Sequence, residues 1–268
     1  MHPPISIERA DPSRGTIVIV HGLGEHSGRY AHVVRSLHEA GWTVVTYDQR
    51  GHGLADGVRG AIPNGDALYE DLAFVLDTAV RETAPARLIL LGHSMGGAIA
   101  ARLVAEALEP RPAAWSRKVD GLILTSPALA VSVRRIDRIA LKVLCRLAPN
   151  LPRRNGLDAT KISHDPAMVA AYRSDPLVHD RVTPRLVQTI LDAGRIARER
   201  ASQWRVPTLL LYAGDDYLVD SRGSAAFAAT APAAVVEAQA FPALYHEILN
   251  ETQPERAEVF ARLHAWLG

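Results

Sequence analysis

The chain has 268 residues, of which 48% are hydrophobic and 22% charged, which excludes a disordered or fibrous protein and leaves room for one large α/β domain with an insertion. A net charge of +1 gives no reason to expect nucleic acid as a partner. The single cysteine, Cys145, excludes an internal disulfide, and the first residues lack the basic start and apolar run of a secretory leader; a cytoplasmic protein is expected, and no apolar run approaches the roughly 18 residues of a membrane span.

In chain order, short aliphatic runs alternate with helical patterns. Thr16–Val20 is followed by a glycine-rich stretch and the helical pattern Ser27–Ala40, Thr43–Tyr47 by the helical pattern Asp66–Glu82, and Leu88–Leu91 by Met95–Leu108. Gly121–Thr125 is the fourth run; Thr208–Tyr212 precedes the helical pattern Ser221–Ala229, and Val235–Phe241 precedes Pro254–Trp266. Most of these runs are continuously apolar, as strands buried on both faces of a parallel sheet are. Strand alternating with helix indicates an α/β sheet, whose ligands bind beyond the carboxyl ends of its strands. Functional side chains are therefore expected just after each run.

Between Ala128 and Arg205 the alternation stops, leaving helical patterns and loops without a convincing strand. The stretch is too long for a plain loop. It is expected to be a helical cap, residues 128–205, inserted into a core made of residues 1–127 and 206–268. Charge follows the same division: the insertion carries a net +8 and the remainder −7. In Val131–Ala148, Ile136, Ile139, Ala140, Val143 and Leu147 form an apolar stripe, expected to lie over the pocket, while Arg135, Arg138, Lys142 and Arg146 form a basic one. The basic stripe has two readings, a face that rests transiently on an anionic membrane surface or the solvated face of a helix packed on the core. Cys145 is expected to be a buried small apolar residue.

The run Leu88–Leu91 leads into Gly92-His93-Ser94-Met95-Gly96-Gly97 and then a helix. This is G-x-S-x-G between a strand and a helix, a turn tight enough to require glycines beside the strained serine. Ser94 is the candidate nucleophile, and the Met95 N–H, at the helix start, a candidate oxyanion donor. The loop His21-Gly22-Leu23-Gly24 follows an early strand, where the second oxyanion donor of such sites lies; Leu23 N–H is the candidate. His21 and His26 with Asp48 or His52 raise a metal as a rival, but no H-E-x-x-H or Cys/His set accompanies them, and neither a metal nor another cofactor is expected. The acid and the base should follow the last two strands, in the chain order Ser, acid, His. His246 fits the base; Asp215, Asp216 and the more distant Asp220 remain open for the acid.

Taken together, these motifs resemble the monoacylglycerol lipase family, serine aminopeptidase S33-like members of the α/β-hydrolase superfamily. The resemblance spans nearly the whole chain and is carried by His21-Gly-Leu-Gly-Glu-His-Ser-Gly-Arg-Tyr30, Asp48-Gln-Arg-Gly-His-Gly53, Gly92–Gly97, Ala171–Val178, Gly214–Asp220 and Tyr245–Glu251. It implies an α/β-hydrolase fold with a helical lid. It places the acid at Asp216, four residues before Asp220-Ser-Arg-Gly223, completing a triad of Ser94, Asp216 and His246. It implies oxyanion donors at Leu23 and Met95 and contacts to a glycerol head from Arg29 and Tyr172. Three residues after the base, where a mammalian member has a glycerol-contacting histidine, this chain has Leu249, which allows a broader esterase. The short N-terminus implies that the first antiparallel strands of the fold are missing or reduced to Ile5–Glu8. The expected function is hydrolysis of monoacylglycerols or similar acyl esters through an acyl-enzyme. The alternatives are a broad esterase, a lysophospholipase, a peptidase or a non-catalytic binding module on the same fold.

Overall fold

Strands that are apolar on every residue need cover on both faces, and that requirement organises the molecule. The computed structural model describes residues 2–132 and 135–268; Val133 and Arg134, and the side chains of Arg135, Ile136 and Arg138, lie outside the described set. Seven strands form the central sheet: β1 (Ile5–Glu8), β2 (Thr16–Val20), β3 (Thr43–Tyr47), β4 (Leu88–His93), β5 (Gly121–Thr125), β8 (Thr208–Ala213) and β9 (Val236–Phe241). Their order is β1-β3-β2-β4-β5-β8-β9. Every neighbouring pair is parallel except β1, which runs antiparallel to β3 with Ile5 opposite Tyr47. The sheet is thus six parallel strands with one four-residue antiparallel edge strand, Ile5–Glu8.

Helices α1 (Ala31–Glu39) and α8 (Glu255–Leu267) bury Val33, Leu37, Val259 and Leu263 on one face of the sheet. Helices α2 (Ala67–Thr83), α3 (Ser94–Glu106) and α7 (Ser221–Thr230) belong to the larger core on the other face. The helical pattern from Ser27 begins as a 3-10 turn, Ser27–Tyr30, before α1.

The segment between β5 and β8 comprises α4 (Arg135–Leu147), α5 (Pro166–Ser174), α6 (Pro184–Glu199) and a hairpin of two two-residue strands, β6 (Arg153–Arg154) and β7 (Arg181–Val182), besides short 3-10 turns. None of its strands joins the central sheet. Its last helix, α6, buries Leu186, Ile190, Ala193 and Ala197 in the same core as α3. Close approach is needed there, because a Cβ on Gly194 would stand 2.5 Å from the carbonyl oxygens of Ala128 and Leu129.

The apolar stripe of α4 does not face the pocket as expected. Ile139, Val143 and Leu147 are 65%, 48% and 79% exposed, while Leu141, Leu144 and Cys145 on the other side are half-buried. Cys145 is thus not fully buried, and its thiol donates to the Pro184 carbonyl at 3.4 Å. The reason is geometric: α4 packs on α6 and lies away from the sheet, so only one side of it is covered. Among the described residues no helix is long and apolar enough to cross a membrane.

Candidate active site

The three strand ends that carry chemistry converge at the carboxyl edge of the sheet. At the end of β4 the chain turns into α3 with Ser94 at φ +53°, a left-handed conformation that costs a non-glycine residue about 1–3 kcal/mol. The neighbouring glycines make that turn sterically possible. A Cβ on Gly92 would stand 2.7 Å from the Gly96 carbonyl oxygen, and one on Gly96 would overlap the carbonyl oxygens of Val20 and His21. From Leu91 to Ala100 every residue is buried except Ser94, which is half-buried and lines an apolar cavity of about 240 Å³ with Leu23, Met95, Val187, Ile190 and Leu218.

Beyond β8, Asp216 Oδ1 accepts from the N–H groups of Leu218 at 2.8 Å and Val219 at 3.0 Å. Its Oδ2 accepts from His246 Nδ1 at 2.7 Å. This separates the three aspartates that the residues alone left open. Asp215 is exposed and accepts from the Tyr217 hydroxyl at 3.4 Å, and Asp220 caps α7 and pairs with Arg222. Burial alone would push the Asp216 carboxyl up, but the His246 imidazole and the hydrogen bonds hold it below its ordinary value. Burial likewise lowers His246, and the Asp216 carboxylate, with help from Glu247 and Glu25, more than offsets it, so the imidazole titrates above its ordinary value. With Nδ1 donating to Asp216, Nε2 keeps its lone pair for a proton.

A second imidazole touches the first. His93, beside Ser94, lies 4.9 Å from His246 between ring centroids and donates from Nδ1 to the Thr125 carbonyl at 3.0 Å. Burial and the facing His246 push it down to about 4, so it stays neutral near pH 7.

The loop after β2 is fixed by a buried carboxylate. Glu25 Oε1 accepts from Gly22 N–H at 2.5 Å and from the Tyr30 hydroxyl at 2.7 Å. Gly22 lies against the nucleophile, since a Cβ there would stand 3.2 Å from Ser94 Cβ. Arg29 donates to Glu25 Oε2 at 2.7 Å and, in a two-pronged contact, to both oxygens of Glu247 at 2.7 Å. Burial would raise Glu25, but Arg29 and its neighbours bring it down to about 2. The Tyr172 ring lies 4.8 Å from the Arg29 guanidinium. Arg29 and Tyr172 are therefore brought together, but with the cation committed to two carboxylates, and neither is among the residues lining the cavity at Ser94.

The residues weighed as metal ligands are engaged by other groups of the protein instead. His21 donates to the Gly22 carbonyl at 2.8 Å and accepts from Gln49 N–H at 2.9 Å. Asp48 accepts from the N–H groups of Ser27 and Leu54, and His26 pairs with Asp175 at 2.8 Å. Among the described residues no group of three or more His, Cys, Asp or Glu is placed to hold a metal. Sequence reasoning missed Glu25, Glu247 and Glu251. The available signal was charge where the pattern demands burial: Glu25 and Arg29 at helical spacing, and two glutamates within the six residues that follow Tyr245.

The sequence profile of the family described as serine aminopeptidase, S33, matches residues 11–253. The chain is 34% identical over 260 residues to a monoacylglycerol lipase of Mycolicibacterium smegmatis, covering 96% of this chain and 89% of that one. It is 31% identical to the phospholipase YtpA of Bacillus subtilis, over 96% of each chain. The crystal structure of a Paleococcus ferrophilus monoacylglycerol lipase superposes with a TM-score of 0.87 at 32% identity, covering 100% of this chain and 98% of that one.

Proposed function

The chain belongs to the serine aminopeptidase S33 family, and from that premise and the site's geometry we propose that it is a serine carboxylic-ester hydrolase acting on monoacylglycerols and similar acyl esters. The observation that carries this reading is the 2.7 Å bond from His246 Nδ1 to Asp216, made beside the apolar cavity onto which Ser94 opens. The acyl chain enters that cavity, which suits hydrocarbon because its lining is almost wholly apolar. His246 Nε2 takes the Ser94 proton as Oγ attacks the ester carbonyl. The oxyanion is held by the N–H groups of Leu23 and Met95; both residues line the cavity, and a first-turn amide such as that of Met95 has no intrahelical acceptor. The alcohol departs with the proton from His246. Water then adds to the acyl-enzyme with His246 again as base, releasing the fatty acid and restoring Ser94.

On the alcohol side, Arg29 acts chiefly by fixing the loops that frame the site, since its guanidinium is taken up by Glu25 and Glu247. With Leu249 buried in the core, few polar groups remain for a glycerol head, and tolerance of other alcohols is expected. The similarity to a phospholipase over 96% of the chain makes a lysophospholipid the second substrate class to try. The exposed stripe Ile139, Val143 and Leu147, beside exposed Lys142 and Arg146, is the surface through which the enzyme touches lipid transiently: apolar side chains insert while the cations meet anionic headgroups.

The test is initial rates of wild type and Ser94→Ala on monoacylglycerols of several chain lengths, p-nitrophenyl esters, a lysophospholipid and an aminoacyl amide. Monoacylglycerols turning over best, with Ser94→Ala inactive, is the expected result. Preferred cleavage of the amide overturns the ester assignment.

A further inference from the structure

The turn that carries His246 ends on a carboxylate for which hydrolysis has no use. Glu251 is 0% exposed, and both of its oxygens are fully engaged. Oε1 accepts from Tyr245 N–H at 2.7 Å and from His164 Nδ1 at 3.0 Å. Oε2 accepts from His164 N–H at 3.0 Å and Thr252 N–H at 3.3 Å, and the Ser163 hydroxyl lies 3.4 Å from it. Tyr245 immediately precedes the base, so the peptide leading into His246 is anchored to Glu251. His164 and Ser163 lie in the insertion. The same carboxylate therefore grips the turn of the base and a segment expected to belong to the cap.

Neighbouring contacts repeat the connection. Glu247 N–H donates to the Ile162 carbonyl at 2.7 Å, and the Ser163 hydroxyl donates to the Asn250 carbonyl at 2.8 Å. The His164 ring stacks on Tyr245 at 3.6 Å between centroids, and Lys161 Nζ donates to the Tyr245 hydroxyl at 3.2 Å. Ile162 and Ser163 are each 2% exposed, as buried as residues of the sheet. This part of the insertion is built into the site, unlike α4 with its exposed stripe.

We propose that Glu251 is a positioning residue for His246, tying the turn of the base to residues 161–164 so that the seating of the insertion and the aim of the imidazole are set together. Glu251 reaches Tyr245 and the insertion, and its effect on the reaction passes through the backbone. A base displaced by a fraction of an ångström loses rate without losing substrate affinity, because neither His246 nor Tyr245 is among the residues lining the acyl cavity. The proposal rests on the reading of His246 as the base.

The experiment compares wild type, Glu251→Ala, Glu251→Gln and the double variant Ser163→Ala/His164→Ala. For each, reactive serines are counted by end-point labelling with a fluorophosphonate, and kcat, KM and the labelling rate are measured well below the melting temperature. Glu251→Ala is expected to lower kcat per titrated site on the order of 10²-fold with KM nearly unchanged. Glu251→Gln should recover part of the loss, because its amide oxygen still accepts from Tyr245 N–H. The double variant breaks only side-chain bonds on the insertion side and should lower kcat per site by a smaller factor, and it decides the matter if the Glu251 variants do not fold. Wild-type kcat per titrated site in the folded variants, with only a lower melting temperature or fewer reactive serines, overturns the proposal; so does a raised KM at constant kcat. If wild type hydrolyses no ester, the functional reading fails, and the labelling rate of Ser94 still reports the effect of Glu251.

Discussion

Helices α3 and α4 are both 13 residues long, yet they meet their surroundings in opposite ways. In α3 nearly every residue is buried, from Met95 to Glu106, because the sheet covers one side and α6 the other. Among the described residues helix α4 packs mainly on α6, and its apolar side chains Ile139, Val143 and Leu147 are exposed. Burial of α3 holds the Ser94 turn in its strained conformation. Nothing in the described chain covers the stripe on α4. An apolar face turned to water on a folded protein is a site awaiting a partner, and here the partner proposed is a lipid surface.

If α3 serves chemistry and α4 serves contact, substitutions in the two regions should separate cleanly. The largest effect is expected at the nucleophile: Ser94→Ala should lower kcat/KM about 10⁴–10⁶-fold on any ester, measured against p-nitrophenyl butyrate, with an unchanged melting temperature. Asp216→Asn should cost about 10⁴-fold by stabilising the wrong tautomer of His246, whereas Asp215→Asn should leave the rate near wild type. Equal losses in the two aspartate variants would break the assignment.

A pH profile sharpens the same region. Because Asp216, Glu247 and Glu25 raise His246 above its ordinary value, the neutral base is lost as pH falls through that raised value. The acid limb of kcat/KM should therefore lie above about pH 6.5 and fall about tenfold per pH unit below it. Glu247→Gln removes one of the carboxylates that raise His246, so its limb should move to lower pH.

The smallest kinetic effect belongs to α4. Val143→Asp/Leu147→Asp should leave hydrolysis of a water-soluble ester within about twofold of wild type, as surface changes usually do. The same variant should co-sediment less with vesicles containing phosphatidylglycerol and lose rate on vesicle-borne monoacylglycerol. Undiminished vesicle binding would remove α4 from the contact surface.

The core was legible because its signals are local. Continuous runs such as Thr16–Val20 and Gly121–Thr125 lie where expected, since a strand covered on both faces admits little else. The elbow was legible because a strained serine between a strand and a helix demands glycines nearby. The acid was not, since Asp215 and Asp216 differ only in which way a loop turns them, and residue spacing carries no such information; the resemblance chose Asp216, and the structure puts that residue on His246. The stripe on α4 was visible, but periodicity reveals a face and not what it faces. Glu25, Glu247 and Glu251 were missed for a related reason. A charged side chain in a loop reads as solvated until its donors, here from Arg29, Tyr245 and His164, are brought to it by distant parts of the chain.

The central claim, that Ser94 carries the acyl group, is tested most directly by rapid quenching of the reaction with a p-nitrophenyl ester followed by peptide mass mapping. The account predicts an acyl adduct on the peptide containing Ser94, formed and lost at rates compatible with turnover and absent from Ser94→Ala. An adduct on another residue, or ester turnover that survives in Ser94→Ala, would contradict it.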